Sequence, residues 1–248
     1  FHPDEIALSS GPAAGRRRML DRVALYERPG DQPLAGEYAR ALKARQEILR
    51  RGDHDSAELD AYEELAARSG ALLTKSRARA AEALAAKLRD AFAAIADPTL
   101  RLRAEFAPGG GDDVDEALRQ LRDRRGRDAR TPAATWGPHR DDLALYLDDR
   151  PARAVASQGQ HRALTLALKA AEAAAVRDAT GLEPIQPLDD VSSELDPSRT
   201  RSLFLFLRAC HGQIFLSTTR EDLIREHFPE ATEQRSFHVV RGVVEASS

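Results

Sequence analysis

The sequence predicts an α/β chain in which a parallel sheet is joined to a large helical lobe. Three observations carry that prediction. Residues 34 to 95 are rich in Ala, Leu, Glu and Arg, with apolar residues at helical spacing in "LAGEYARALKARQEIL" and "AEALAAKLRDAFAAI". Residues 184 to 217 read as strand, helix, strand, the βαβ unit of a parallel sheet. Leu100, Leu102, Ala104 and Phe106 alternate like a half-buried strand, and "LALYL" at 143 to 147 is a second short one. With 248 residues, 42% of them hydrophobic, the chain can bury one large core or two modest ones.

Taken in order, "GPAAGRRRMLDRVALYE" is a Gly/Pro turn leading into a helix whose apolar positions are Met19, Leu20, Val23 and Leu25. Arg16, Arg17 and Arg18 stand at its start, where the helix dipole disfavours cations, so an external anion or an acidic neighbour is expected to relieve that cost. Breaks at "RRGDHD" and, more weakly, at "RSGALL" divide 34 to 95 into two or three antiparallel helices, the shape of an arm. Gly109 to Gly111 form a flexible turn after the first strand. The helix over 113 to 130 ends in "RQLRDRRGRDAR", six arginines against two aspartates in twelve residues. Arg124, Arg125 and Arg127 in this patch, like Arg16 to Arg18, suit nucleic-acid phosphates; a solvated charge run is the alternative for both. A long helix from about Gln160 to Ala179 follows, then a helix from Ser198 to Ala209, the buried strand "QIFLS" and a closing hairpin, "FHVVRGVVE".

The net charge of −3 says little about partners. Lysine occurs only at Lys43, Lys75, Lys87 and Lys169, so arginine, whose planar fork suits phosphate and carboxylate, supplies nearly all the positive charge. The single cysteine, Cys210, excludes an internal disulfide and a cysteine-based zinc site, and is expected in a helix core. No run approaches the roughly 18 apolar residues of a membrane span, and no basic n-region with an apolar h-region opens the chain, which makes a cytoplasmic location the default and a membrane partner unexpected. Phe1 as first residue and Met19 as the only methionine suggest a piece of a longer protein.

Two stretches carry chemistry. In "ASQGQHRALTLALKAAE", Ser157 followed three residues later by Gln160 is a capping box. Gly159 inside it leaves the first helical turn bare, so backbone N–H groups and the dipole can also meet a phosphate. In "PIQPLDDVSSELDP", Asp189 stands at the C-terminal end of a buried parallel strand, the crevice where such sheets bind ligands. In nucleotide phosphoryl-transfer sites such an acid holds Mg²⁺, and a neighbouring acid, here Asp190, orients or deprotonates the attacking water. A capped turn is the bland alternative. Gln186 is polar and Pro187 lacks a ladder donor in a strand expected to be central, which puts its pairing in question. "GPHRDDL" offers His139, Asp141 and Asp142 as metal ligands, but a turn entering the strand at 143 is the preferred reading. Trp136 can stack on a base; packing is the preferred alternative.

Together "GPHRDDL", "SQGQHRALTLALKAAE" and "LDDVSSELDP", in that order, resemble the RecF family, ABC-type ATPase heads related to the SMC proteins; "RRRMLDR" and "FHVVRGVV" fit the same family, and the resemblance spans nearly the whole chain. It implies a P-loop NTPase-like ABC/SMC head with a large helical lobe. Residues 1 to 180 would be the mainly helical lobe, with its arm at about 34 to 95, and 181 to 248 the C-terminal part of the α/β lobe. Ser157, Gln158, Gly159 and Gln160 match the ABC signature, which in this family reaches across a dimer to the γ-phosphate. Asp189 matches the Walker B metal acid, Asp190 the catalytic base, Asp196 in "SELD" the D-loop, and Thr218 or Thr219 the switch position. No G-x-x-x-x-G-K-[ST] is present, and "GPAAGR" has neither the lysine nor the hydroxyl of a phosphate loop. The resemblance therefore implies a head lacking its N-terminal part, inactive as an ATPase by itself.

For the complete protein the resemblance implies ATP and Mg²⁺ as cofactors, an ATP-dependent homodimer on single- and double-stranded DNA, and weak, slow hydrolysis. Recombinational gap repair, the SOS response and recombinase loading with RecO and RecR belong to the same implication. Two rivals stand beside it: a nucleotide-free DNA-binding or regulatory RecF homologue with a degenerate ATPase site, which Pro187 suggests, and an unrelated hydrolase binding metal through His139, Asp141, Asp142 and the Asp189 pair.

Overall fold

Helices and strands follow one another much as the apolar periodicity indicates. The computed structural model describes residues 6–96, 99–189, 201, 204, 212–219 and 235–246. A short helix α1 (Ala7–Ser10) precedes α2 (Ala13–Glu27), which buries Met19, Leu20, Val23 and Ala24. Helix α3 (Leu34–Arg50) then pairs with α4 (Ala57–Ile95), 39 residues long and started by Ser56, whose hydroxyl accepts the Leu59 amide. At 1.5 Å per residue α4 runs about 58 Å.

Helix α4 passes through "RSGALL" without the expected weak break. Ser69 points its hydroxyl back to the Leu65 carbonyl, and Gly70 is where the Tyr38 ring of α3 packs: a Cβ there would lie 3.1 Å from two ring carbons. The glycine serves close approach of the two arm helices rather than a turn. Gly109 likewise proves to be packed rather than loose, because an added Cβ would sit 2.4 Å from the Arg140 Cβ, while its amide donates to Asp141 Oδ1 at 2.8 Å.

Strand β1 (Leu102–Ala107) pairs antiparallel with β2 (Asp142–Leu147), and β2 with the two-residue β3 (Arg150–Pro151). Between β1 and β2 the expected single helix is split into α5 (Val114–Asp123), capped by Asp113, and α6 (Arg125–Asp128). After α7 (Ala152–Val155) comes α8 (Gln158–Thr180), ended by left-handed Gly181. Residues 161 to 168 of α8 are all buried, so this helix is surrounded on every side. Strands β4 (Gln186–Asp189) and β5 (Ile214–Ser217) are parallel, as the βαβ pattern requires, and β6 (Phe237–Val240) and β7 (Val243–Ala246) form the closing hairpin around Arg241 and Gly242.

One hydrophobic cluster unites α2, α4, β1, β2 and α8 with Leu188 of β4 and Phe204, so residues on both sides of position 180 share a core. A second, around Leu34, Tyr38, Leu73 and Leu121, holds the arm to α5, with Trp136 packed against it. Each fully buried leucine in these clusters contributes about 2 kcal/mol. None of the described helices is long and apolar enough to cross a membrane.

Candidate functional site

Both halves of the site sit where a secondary element begins or ends. At the start of α8, Ser157 is the N-cap. Its Oγ accepts from the Gln160 amide at 3.3 Å, and Gln160 Oε1 accepts from the Ser157 amide at 2.7 Å, completing the capping box. Ser157 and Gln158 are exposed, with Gly159 and Gln160 half-buried. Because Ser157 accepts within the box, its own hydroxyl hydrogen remains to be given to an anion. The first-turn N–H groups and the dipole favour the same kind of ligand.

Asp189 is the last residue of β4 and is exposed. Register puts Asp189 beside Ser217 at the end of β5, and the Ser217 hydroxyl donates to Asp189 Oδ1. Sequence reasoning singled out Thr218 and Thr219 but missed Ser217; aligning the ends of the two parallel strands is the signal that finds it. Thr218 and the exposed Thr219 follow at the same end of the sheet. Asp190 and Asp196 lie outside the described residues, as does Cys210. An exposed carboxylate at a strand end, steadied by a hydroxyl donor, is a donor set that suits a hard divalent cation.

Pro187 does not interrupt the pairing with β5. The Gln186 amide donates to the Gln213 carbonyl at 2.9 Å, and alternate residues of a strand face one neighbour. Residues 186 and 188 therefore bond β5, and the donor that Pro187 lacks belongs to the opposite edge of β4.

The "GPHRDDL" residues are structural. His139 Nδ1 meets the Tyr38 hydroxyl at 2.7 Å, and its Nε2 meets the Ala134 carbonyl at 2.9 Å. Burial pushes the His139 pKa below and the Tyr38 pKa above the usual value. Asp141, fully buried, accepts from Gly109 N and from Arg77 Nη1 at 3.1 Å; burial raises its pKa against those donors. Asp142 receives both Arg16 Nε at 2.7 Å and Arg16 Nη2 at 2.9 Å. Among the described residues no group of three His, Cys, Asp or Glu could hold a metal, so the metal-hydrolase reading loses its cluster.

These bonds also correct the arginine readings. Arg16 is 6% exposed and also donates to the Leu8 and Gly11 carbonyls, so the acidic neighbour expected at this helix start is Asp142, and no phosphate contact is left to Arg16. Arg17 donates to the Asp141 carbonyl, and Arg18 is exposed. Arg125 bridges Asp60 and Glu63, and those hydrogen bonds raise its pKa. Beside it Arg45, wholly buried, joins Glu63 at 3.0 Å to Asp128 at 2.8 Å. Arg124 contacts Gln120 and stands 6.0 Å above the Trp136 ring, which makes Trp136 a packing residue. Arg127 is exposed.

The chain is 40% identical over 252 residues to the DNA replication and repair protein RecF of Anaeromyxobacter sp. (strain Fw109-5), covering 98% of this chain and 67% of that protein. The chain belongs to the RecF family. RecF of Anaeromyxobacter dehalogenans (strain 2CP-C) is 42% identical over 255 residues, again with 98% and 67% coverage, and RecF of Myxococcus xanthus (strain DK1622) is 38% identical over 236 residues, 91% of this chain and 62% of that one. The chain thus spans about two thirds of the length of these RecF relatives. No family model matches it. In fold it resembles the recombination mediator protein RecF-ATP of the RecFOR pathway, with a TM-score of 0.80 at 23% identity over 100% of this chain and 66% of that one. The Smc head domain of Pyrococcus furiosus, bound to the C-terminal domain of ScpA, gives 0.53 at 13% identity over 99% and 60%. The fold is accordingly the one these RecF and Smc head structures share, with a large helical lobe.

Proposed function

We propose that this chain supplies the signature and Walker B halves of a RecF ATPase head that closes as a dimer around ATP on DNA. The parallel β4–β5 pair supports this most: it carries Asp189, exposed, to the sheet end where phosphates bind in such folds, with Ser217 oriented onto it. Asp189 would hold Mg²⁺, which when bound neutralises charge developing on the phosphate oxygens. Asp190 orients the attacking water. Ser157 to Gln160 receive the γ-phosphate held by the partner subunit, Asp196 takes the D-loop role toward that partner, and Thr219 takes the switch position. Residues 1 to 180 thus act as the signature lobe and 181 to 248 as the Walker B side.

Arg18 and Arg127, exposed, are the first candidates for DNA phosphates, followed by Arg17 and Arg124. Recombinational gap repair with RecO and RecR, through recombinase loading, is the cellular role that this reading implies. The nucleotide-free alternative was motivated by Pro187, which costs the β4–β5 ladder nothing. The test is the mass of the full-length protein in solution. ATP with Mg²⁺ should convert monomer to dimer, and Asp190→Asn should hold the dimer by blocking hydrolysis; a monomer in both cases refutes the reading.

A further inference from the structure

Immediately behind the signature motif lies a buried polar cluster that the ATP-site reading does not use. Ser9 of α1, with His161 and Thr165 of α8, are 2%, 8% and 0% exposed. Ser9 Oγ lies 3.1 Å from His161 Nδ1, 3.0 Å from the His161 carbonyl, 3.1 Å from the Ile6 carbonyl and 3.1 Å from Thr165 Oγ1. Thr165 Oγ1 also reaches the His161 carbonyl at 2.9 Å. A single hydroxyl of a four-residue helix therefore joins the first two turns of α8.

Three hydroxyl hydrogens meet three acceptors here, because Ser10 Oγ also reaches the Ile6 carbonyl at 3.1 Å. With Ser10 serving the Ile6 carbonyl and Thr165 the His161 carbonyl, the Ser9 hydrogen is free to meet His161 Nδ1, and the buried cluster leaves none of these groups unpaired. Helix α1 is itself fixed from outside, because Arg16, anchored on Asp142 of β2, donates to the Leu8 and Gly11 carbonyls on either side of Ser9.

We propose that Ser9 and His161 form a clamp that positions the first turn of α8, and with it Ser157 to Gln160, against the sheet. The two are positioning residues. The role assigned to the clamped motif rests on the ATP-site reading, whereas the clamp itself does not. Its physical consequence is rigidity: phosphate-facing N–H groups act best when they need no reorganisation on binding.

Two kinds of measurement test this. Ser9→Ala should speed amide exchange over residues 160 to 165 about fivefold, the effect of one lost hydrogen bond. His161→Asn, whose side-chain amide can meet the Ser9 hydroxyl where Nδ1 does, should keep exchange slow, and His161→Gln should not. No response of exchange to Ser9→Ala overturns the clamp.

In the full-length protein, Ser9→Ala should weaken ATP-dependent dimerisation about fivefold and His161→Asn should leave it unchanged. If Ser157→Ala abolishes dimerisation while Ser9→Ala leaves it unchanged, the positioning role is overturned and the signature reading stands. If neither substitution matters while the clamp signals are present, both the signature reading and the positioning role fall.

Discussion

Two strands of this chain run into the same tripeptide, Leu-Asp-Asp, and the carboxylates that follow meet different fates. After Leu147 of β2, Asp148 and Asp149 take positive φ angles of 47° and 61° and form the two-residue turn into antiparallel β3. Asp148 Oδ1 then accepts the Arg101 amide at 3.0 Å. After Leu188 of β4 no such reversal is possible, because the neighbouring strand β5 is parallel and is reached through a long crossover. Asp189 is left exposed at the sheet end with a hydroxyl aimed at it. What an Asp-Asp pair does is decided by where the chain must go next, not by the pair.

Asp141 and Asp142 extend the comparison, since they enter a strand rather than leave one and are taken up by Arg77 and Arg16. Asp141→Ala should break this contrast most severely. Arg77 keeps its two bonds to Asp21, but the half-buried Gly109 amide loses its acceptor and Arg77 one of its bonds, and denaturant titration should show a loss of about 2–3 kcal/mol.

Acid should act next. Burial lowers the pKa of both His139 and His161 from 6.5, so below that pH the unfolded chain binds more protons than the folded one. Stability should therefore fall as pH drops through 6.5 toward the folded values. Melting temperatures across that range check it, and His161→Asn should flatten the curve.

Replacing Asp148 and Asp149 by Asn and Gly, which suit positive φ better, should stabilise the β2–β3 turn by up to about 1 kcal/mol in the same titration. Asp189→Asn should change stability least, by less than about 0.5 kcal/mol, because the side chain is exposed. A large loss there would mean that Asp189 is a structural acid like Asp141.

The elements legible in the sequence were those set by local pattern. Parallel β4 and β5, the capping box at Ser157 and the hairpin at Arg241 and Gly242 each rest on residues close together in the chain. What stayed hidden depends on distant partners. Arg16 finds Asp142 across 126 positions and Arg125 finds Glu63 across 62, so a charge run that suits phosphates when read by itself is in part neutralised internally. The same holds for Gly70, which breaks a helix by local propensity but is held within one by the Tyr38 ring from α3. Ser217 was missed because its importance comes only from strand register.

The central claim is that Asp189 is a ligand-facing acid rather than a structural one. Asp189→Asn in the full-length protein tests it most directly, with mass in solution followed by light scattering as ATP and Mg²⁺ are added. The account predicts an unchanged melting temperature together with a monomer that no longer dimerises. A variant that dimerises as the unaltered protein does would contradict it.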